Sequence, residues 1–376
     1  AKEHTLPVRV FETLSQEQAL YEAGELFETL FDICIHSPDG KLFWGYISEA
    51  DYSFKFCEQG LANGLLGIAV FAAAYAFVSK DEHAAEFAEK AVDEAVTELD
   101  RMYDYLAYKG FSRDFAPYLG EADGVGGILT GLSFLHRYTG RKDIAALQNK
   151  ALFTLEQFDL SSYGAPDRMI GMSGLLSALC RSLDYKHRTD LIRSAADSLL
   201  AMKTLEYNGA MLWKPFQDKA RPISGAGHGL AGIAEALYSA SYVLGDTKYA
   251  DAADDAISFE LSAYNAKFGT WSDLREFPPV GYMHGYCSGA PGIGIMLDRI
   301  RGMENDHFEI ARCAELAKNV VDRIPLNERD HLCCGNSAIA EYYMTVGRYE
   351  DAGRVLNAMY ERRRKTGSYR YMSSKF

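Results

Sequence analysis

Apolar residues follow helical spacing in two alternating kinds of segment. One kind is small and apolar on every side, as at 68–76 and 233–240, which predicts helices that are buried nearly all round. The other kind is charged and has one apolar face only. It comprises 81–105, 142–158, 188–204, 247–264, 307–323 and 348–364. This alternation predicts a series of helical hairpins, each with one buried and one amphipathic helix.

A short glycine pattern opens each buried segment. It reads G-x-x-G/A-I/L, and its first glycine recurs at Gly64, Gly124, Gly171, Gly229, Gly289 and Gly335. Small residues there let the first turn of a helix approach its neighbours closely. Six such hairpins predict an all-α fold, a closed α/α toroid whose inner helices begin at the repeat glycines. All inner helices would then start at one end, so the residues just before the glycines share one rim.

Composition narrows the class of protein. The 376 residues carry a net charge of -13, which argues against a nucleic-acid or anionic-membrane partner. The longest apolar run, 65–78, is shorter than the roughly 18 residues of a spanning helix. No signal-peptide pattern opens the chain, so we expect a cytoplasmic protein. The repeat makes 1–376 a single domain, and an N-terminal Ala1 in place of Met indicates a processed chain or a piece of a longer one.

The rim residues include three cysteines. The positions directly before the repeat glycines hold Asn63, Asp123, Ile170, His228, Ser288 and Cys334, with Cys287 and Cys333 one position earlier. Helix N-termini favour thiolates, and three thiolates with a vacant fourth position suit a catalytic zinc. The sequence therefore predicts a Zn²⁺ site at Cys287, Cys333 and Cys334, with His284 and His331 as rival ligands. Cys34, Cys57, Cys180 and Cys313 are expected to be core or surface thiols.

His228 is the strongest acid–base candidate, since a rim position between two glycines keeps its imidazole accessible. Asp167 lies four residues before Gly171 and would orient a histidine or hold a proton. An aspartate so placed is also commonly a helix N-cap. Asp123 has the same two interpretations.

These residues resemble the lanthionine synthetase C-like cyclases, most closely the cyclase half of class II lanthipeptide synthetases. The resemblance covers about residues 16–365. The features that carry it are the glycine repeats and the motifs at 167–174, 227–229, 287–294 and 332–336. It implies a zinc held by the last two motifs and a catalytic site that includes His228 and Asp167. The implied reaction closes lanthionine or methyllanthionine thioether rings in a ribosomal precursor peptide, as in antibiotic biosynthesis. The implied partners are that dehydrated peptide and a dehydratase domain or protein.

Three departures from the family pattern qualify this assignment. The last metal motif is Cys-Cys-Gly where Cys-His-Gly is commoner, which indicates the subset with three cysteine ligands. Tyr286 and Ser288 flank Cys287 in place of the usual Trp and His or Tyr, so their roles stay open. No seventh glycine repeat follows residue 364 before the chain stops at Phe376. The closing helix is therefore either absent from this chain or was removed. The missing Met, together with the lack of a Gly-rich phosphate loop or kinase-like signature, predicts a fragment of a larger synthetase. The segment 16–34 would be the outer helix of the first hairpin.

The resulting hypothesis is a Michael-type addition. A substrate thiol becomes the fourth zinc ligand, loses its proton and attacks the β-carbon of dehydroalanine or dehydrobutyrine. His228 accepts the thiol proton or protonates the enolate, and Asp167 tunes it. One alternative is an α/α-toroid glycoside hydrolase using Asp123 and Asp167, which leaves the cysteines unexplained. Another is a non-catalytic zinc-containing module that binds peptide or glutathione.

Overall fold

The computed structural model describes residues 7–47, 52–115, 117–214, 221–274, 282, 284–327 and 329–370. These residues form mainly α-helices. The helices are α1 Gln16–Asp32, α2 Leu65–Ser79, α3 Glu82–Tyr108, α4 Val125–Thr139, α5 Lys142–Leu155, α6 Met172–Leu179, α7 Thr189–Ala201, α8 Leu230–Leu244, α9 Thr247–Ala263, α10 Ala290–Arg301, α11 Phe308–Val321, α12 Asn336–Thr345 and α13 Tyr349–Thr366. The predicted absence of a seventh inner helix concerns a chain end, 371–376, that lies outside the described residues.

Four antiparallel β-hairpins connect some of the helices, and the sequence did not predict them. Their strands are β1 Ile35–His36 with β2 Leu42–Phe43, β3 Gly45–Ile47 with β4 Phe54–Phe56, β5 Leu205–Tyr207 with β6 Ala210–Leu212, and β7 Tyr264–Asn265 with β8 Thr270–Trp271. Strands of two or three residues leave almost no alternating pattern to detect.

The predicted helix starts are confirmed. Each of α2, α4, α6, α8, α10 and α12, the inner helices, begins one residue after a repeat glycine, which is its N-cap. The amphipathic segments form the outer helices α3, α5, α7, α9, α11 and α13. The segment 16–34 contains α1, as expected.

The chain divides into two compact units. The N-unit comprises Ala19–Tyr163 and Met169–Ala195, and the C-unit comprises the described residues of Ala1–Gln18, Gly164–Arg168 and Ala196–Phe376. The prediction of a single domain over 1–376 stays a prediction.

In the N-unit, α4 packs between α2 and α6, while α3 and α5 pack against α2 and α4. Backbone hydrogen bonds join the segments before these inner helices. The Ala62 N–H donates to the Ala122 carbonyl at 3.0 Å, and the Ala122 N–H donates to the Met169 carbonyl at 3.1 Å. Each of these residues lies two positions before a repeat glycine. Within this unit, the inner helices therefore begin at the same end.

In the C-unit, α10 packs between α8 and α12, with α9, α11 and α13 against them. Backbone hydrogen bonds of the same kind join the segments before these inner helices. The Arg168 N–H donates to the Gly227 carbonyl at 3.0 Å, Gly227 donates to Cys287 at 3.1 Å, and Cys287 donates to Cys333 at 3.1 Å. The predicted shared rim is confirmed within each unit, and in this one it carries the predicted site residues.

Burial of the inner helices matches the prediction only in part. Every residue of α6, and of α8 from Leu230 to Ala240, is buried. In α2 the prediction is wrong for most of the run 68–76, in which Ala69, Ala72 and Ala73 alone are buried. The next two residues, Phe77 and Val78, are 49% and 62% exposed. Among the described helices, none has both the length and the apolar character needed to cross a membrane.

Each of the three tryptophans ties a hairpin region to a preceding helix. The indole N–H groups of Trp44, Trp213 and Trp271 donate to the carbonyls of Leu30, Leu199 and Glu260, at 2.8, 2.7 and 2.7 Å. Carbonyls in the last turns of a helix lack partners within it, so a buried indole donor there satisfies both groups.

A steric requirement explains why the second position of the repeat is glycine. A methyl group on Gly232 or Gly292 would lie 2.0 or 1.9 Å from the carbonyl oxygen of Ala226 or Tyr286, six residues earlier. At Gly67 and Gly127 the corresponding distances are 2.2 and 2.5 Å. The chain before each of these helices thus folds back over its first turn, and only a hydrogen fits between them.

We expect Gly292→Ala to lower the free energy of unfolding by about 2–3 kcal/mol, because the added methyl displaces backbone rather than a flexible side chain. The matched control is Gly302→Ala at the other end of α10. There the nearest atom to the new methyl is 3.4 Å away and φ is -61°. That change should be neutral or slightly stabilising. Urea denaturation of both variants checks this, and equal losses of stability would contradict it.

Candidate active site

The predicted site residues meet at one end of the C-unit. His228 directly precedes Gly229 at the start of α8, Cys287 lies before α10, and Cys333 and Cys334 lie before α12. The ladder through Gly227, Cys287 and Cys333 holds these segments side by side. The turn that contains His228 also contacts the cysteines, since a methyl on Gly227 would lie 2.8 Å from Cys287 Sγ.

The cysteine cluster consists of Cys287, Cys333 and Cys334. Cys333 Sγ lies 2.9 Å from Cys287 Sγ and 3.2 Å from Cys334 Sγ. In a tetrahedral zinc site with Zn–S bonds of about 2.3 Å, sulfurs are roughly 3.8 Å apart. Among the described residues, no group of three or more His, Cys, Asp or Glu side chains has the arrangement of a ready metal site. Three thiols that converge on one point are donors that suit zinc. To bind it, the two sulfurs of each measured pair would have to move apart by less than about 1 Å.

His228 and Asp167 are brought together. His228 Nδ1 lies 3.3 Å from Asp167 Oδ1; the histidine side chain is 26% exposed and the aspartate is fully buried. A carboxylate oxygen beside Nδ1 can orient the imidazole and set which ring nitrogen faces away from it. Asp167 therefore has the geometry of a histidine partner. The N-cap interpretation is not borne out for α6, whose N-cap is Gly171.

The rival ligands occupy different environments. His284 Nδ1 is buried with no hydrogen-bond partner among the described residues, and burial lowers the pKa of His284 to about 4. His284 is therefore neutral near pH 7. At His331, the Cys334 N–H donates to Nδ1 at 3.3 Å. Burial is the main cause of the lowered pKa of His331. One ring nitrogen of His331 is thus already used to support the cysteine cluster.

Ser288 is buried directly after Cys287. It is 5% exposed, and its hydroxyl oxygen has no hydrogen-bond partner within the described parts of the chain. Gly289, which follows, has φ +128°, a backbone conformation that residues other than glycine rarely adopt. This sharp turn places Cys287 and Ser288 ahead of α10.

Asp123, the other rim carboxylate, has a structural role in the N-unit. Its Oδ1 accepts from the N–H groups of Ala62 and Asn63 at 3.0 and 2.9 Å, and its Oδ2 accepts from the Asn63 amide at 2.7 Å. A carboxylate so engaged joins two repeats. It is a poor choice for the acid or base of a glycoside hydrolase.

The sequence did not identify a buried ion pair next to Asp167. Arg168 and Glu235 both have fully buried side chains, with Arg168 Nη1 2.5 Å from Glu235 Oε2. The Ser239 hydroxyl also donates to Glu235, at 3.2 Å. Since the Arg168 N–H donates to Gly227, this pair anchors the segment that presents Asp167 against the turn of His228. The two residues are 67 positions apart in the sequence, and no sequence motif has that spacing.

A second network supports the cysteine cluster. Asp330 is 5% exposed and accepts from Arg362, from the Asn336 amide at 3.0 Å and from the Arg370 N–H at 3.0 Å. The Asn327 amide donates to the Cys334 carbonyl at 3.3 Å. The loop that presents Cys333 and Cys334 is thereby tied to α13 and to the segment after it.

Glu260 on α9 is a buried carboxylate that the sequence also gave no reason to select. Burial raises its pKa from 4.5 to about 7, although hydrogen bonds from Ser224, Gly225 and Ala231 oppose the shift. Burial, and to a smaller extent the charge of Glu260, keeps the pKa of the Cys313 thiol on α11 well above 9.0, so Cys313 stays neutral.

The raised pKa of Glu260 predicts a pH-dependent stability. A pKa that is higher in the folded state contributes stability below pH 4.5 and loses it as the pH rises through about 7. The stability lost should be about 3 kcal/mol. The free energy of unfolding of the wild type should fall by that amount, relative to Glu260→Gln, between pH 4.5 and 8. Urea titrations at several pH values check this, and parallel curves for the two proteins would contradict it.

Comparisons with known proteins agree with this architecture. The family model described as lanthionine synthetase C-like protein matches residues 55–372. No curated protein sequence matched the chain. The structure of nisin cyclase is similar over 94% of this chain and 87% of that chain, with 18% identity and a TM-score of 0.63. Unsaturated glucuronyl hydrolase from Bacillus sp. GL1 is similar over 95% and 98%, with 13% identity and a TM-score of 0.50. These likenesses confirm the predicted α/α-toroid fold.

Proposed function

Because the chain belongs to the lanthionine synthetase C-like family, we propose that it closes thioether rings in a dehydrated precursor peptide. A cysteine thiol of the peptide would add to dehydroalanine or dehydrobutyrine. The observation that carries this proposal is the meeting of three cysteine thiols with the His228–Asp167 pair at one end of the C-unit. The likeness to nisin cyclase agrees with it.

The cysteine cluster would hold one Zn²⁺. When bound, zinc supplies the ionisation of a thiol at neutral pH, where a free cysteine is only a few per cent thiolate. The chain's own contribution is a set of sulfur donors at helix N-termini, where the helix dipoles favour negative charge. The networks around Asp330 and the backbone ladder keep these donors in place.

His228 would move the proton. With Nδ1 turned toward Asp167, Nε2 is the ring nitrogen that accepts the thiol proton. As the C–S bond forms at the β-carbon, the electron pair of the C=C bond shifts toward the neighbouring carbonyl group, which gives an enolate. His228 then returns the proton to the α-carbon. One thiol is consumed and the peptide mass does not change.

We expect His228→Asn to slow cyclisation by about 10²–10⁴-fold, the usual contribution of a positioned acid–base residue. The assay incubates a dehydrated, cysteine-containing peptide with the protein and counts free thiols by alkylation and mass spectrometry. His136→Asn is the matched control, since His136 lies in the N-unit with its ring against the Arg141 carbonyl. A normal rate for His228→Asn would end the proposed role of His228. Binding of the peptide by wild type with no loss of thiols would instead indicate a non-catalytic module.

The substrate implies an earlier reaction and a compartment. Dehydroamino acids arise by removal of water from serine and threonine, so a dehydratase domain or protein must act first. The assignment to a larger class II synthetase is part of this proposal and would supply that activity within one polypeptide. No two of the seven cysteines are joined by a disulfide in the structure, which suits the reducing cytoplasm.

A further inference from the structure

A buried carboxylate on an outer helix holds the turn that carries His228. Glu260 is fully buried on α9. Its Oε1 accepts from the N–H groups of Gly225 and Ala231, both at 2.9 Å, and its Oε2 accepts from the Ser224 hydroxyl. An ionised carboxylate can only accept hydrogen bonds, so it suits a position on which three donors converge.

These three donors bracket His228 along the chain. Ser224 and Gly225 precede it and Ala231 follows it, so one side chain ties both ends of the segment 224–231, the His228 turn. The turn contains three glycines, and Gly225 has φ +126°. Glycine permits many backbone conformations. Hydrogen bonds from a rigid outer helix select one of them.

The His228 turn also contacts the cysteine cluster through its glycines. A methyl on Gly225 would lie 2.4 Å from the Cys287 carbonyl oxygen, and one on Gly227 would lie 2.8 Å from Cys287 Sγ. There is no room for the turn to move toward Cys287. Release of its ends would allow it to move away from Cys287, and His228, in the middle of the turn, would move with it.

We propose that Glu260 is a positioning residue, which through Ser224, Gly225 and Ala231 holds the His228 turn against Cys287 and so fixes where His228 lies. Its effect on rate rests on the proposed function. Either form of the carboxyl group can do this. The ionised form accepts all three hydrogen bonds, and the protonated form donates to the Ser224 hydroxyl while its other oxygen accepts the two N–H groups. A glutamine amide can reproduce the second arrangement.

The kinetic test compares Glu260→Ala with Glu260→Gln. We expect Glu260→Ala to lower kcat for cyclisation by about 10–100-fold with KM within about twofold of wild type, as for other residues that support a reacting group. Glu260→Gln should recover kcat to within about threefold. Gln148→Ala is the control: Gln148 is an equally buried outer-helix side chain of the N-unit, which donates to the Leu129 carbonyl at 3.0 Å. It should leave kcat unchanged.

A second readout does not depend on activity. NMR of histidine-labelled protein should show the His228 imidazole signals shifted in Glu260→Ala and restored in Glu260→Gln, with those of His136 unmoved. If wild type fails to cyclise but the His228 signals shift, the proposed function fails and the positioning role stands. If wild type cyclises and folded Glu260→Ala matches its kcat and His228 signals, the positioning role is wrong. Should Glu260→Ala not fold, Ser224→Ala replaces it, with a threefold or greater loss of kcat expected and no loss overturning the proposal.

Discussion

Replacement of Cys334 by alanine is expected to remove bound zinc and with it thioether formation. Two sulfur ligands do not hold zinc as three do, so the zinc content should fall from about one ion per chain to less than a tenth of an ion per chain. The cyclisation rate should fall by about 10²-fold or more. Cys287→Ala should behave in the same way, because its Sγ lies 2.9 Å from Cys333 Sγ in the same cluster.

Cys57→Ser is the control for these changes. Cys57 is a half-buried free thiol of the N-unit, so its loss changes the total thiol count without touching the cluster. It should retain zinc and rate. Elemental analysis of metal content, with the thiol-loss assay on the same samples, checks all three variants. Full zinc and full activity in Cys334→Ala would refute the assignment of the ligands.

The largest effect on folding is expected from Arg168→Met. The change leaves Glu235 as a buried carboxylate without its guanidinium partner, which typically costs about 3–5 kcal/mol. Arg301→Met, which breaks the half-exposed pair with Asp306, should cost less than about 1 kcal/mol.

The double variant Arg168→Met with Glu235→Met separates charge from packing. Both charges are then absent and the volume is largely kept, so most of the lost stability should return. Urea denaturation of the single and double variants provides the comparison. If the double variant is as unstable as Arg168→Met alone, the cost comes from packing and the ion-pair account is wrong.

The helix starts and the shared rim could be predicted because the repeat encodes them locally. Each first glycine is an N-cap, and the second glycines Gly67, Gly127, Gly232 and Gly292 allow the chain to fold back over the first turn. A local requirement repeated six times is visible in a single sequence. The meeting of His228 with the cysteine cluster then followed from the common direction of the inner helices.

The supporting residues could not be predicted, because their partners are distant in sequence and have no fixed spacing. Glu260 contacts residues 29 to 36 positions earlier, and Arg168 pairs 67 positions ahead. In the sequence, Glu260 is one acidic residue among 52. Only packing shows that it is buried beneath the turn of His228. The exposed end of α2 has a similar cause, since apolar composition does not reveal whether another helix covers that surface.

Reconstitution with zinc tests the central claim most directly. Wild-type protein would be stripped with a chelator, supplied with zero to two equivalents of zinc, and incubated with a dehydrated, cysteine-containing peptide. The account predicts that the rate of thiol loss rises with zinc, saturates at one equivalent, and yields a product of unchanged mass. A rate independent of zinc, or a zinc-loaded protein that leaves every peptide thiol free, would contradict it.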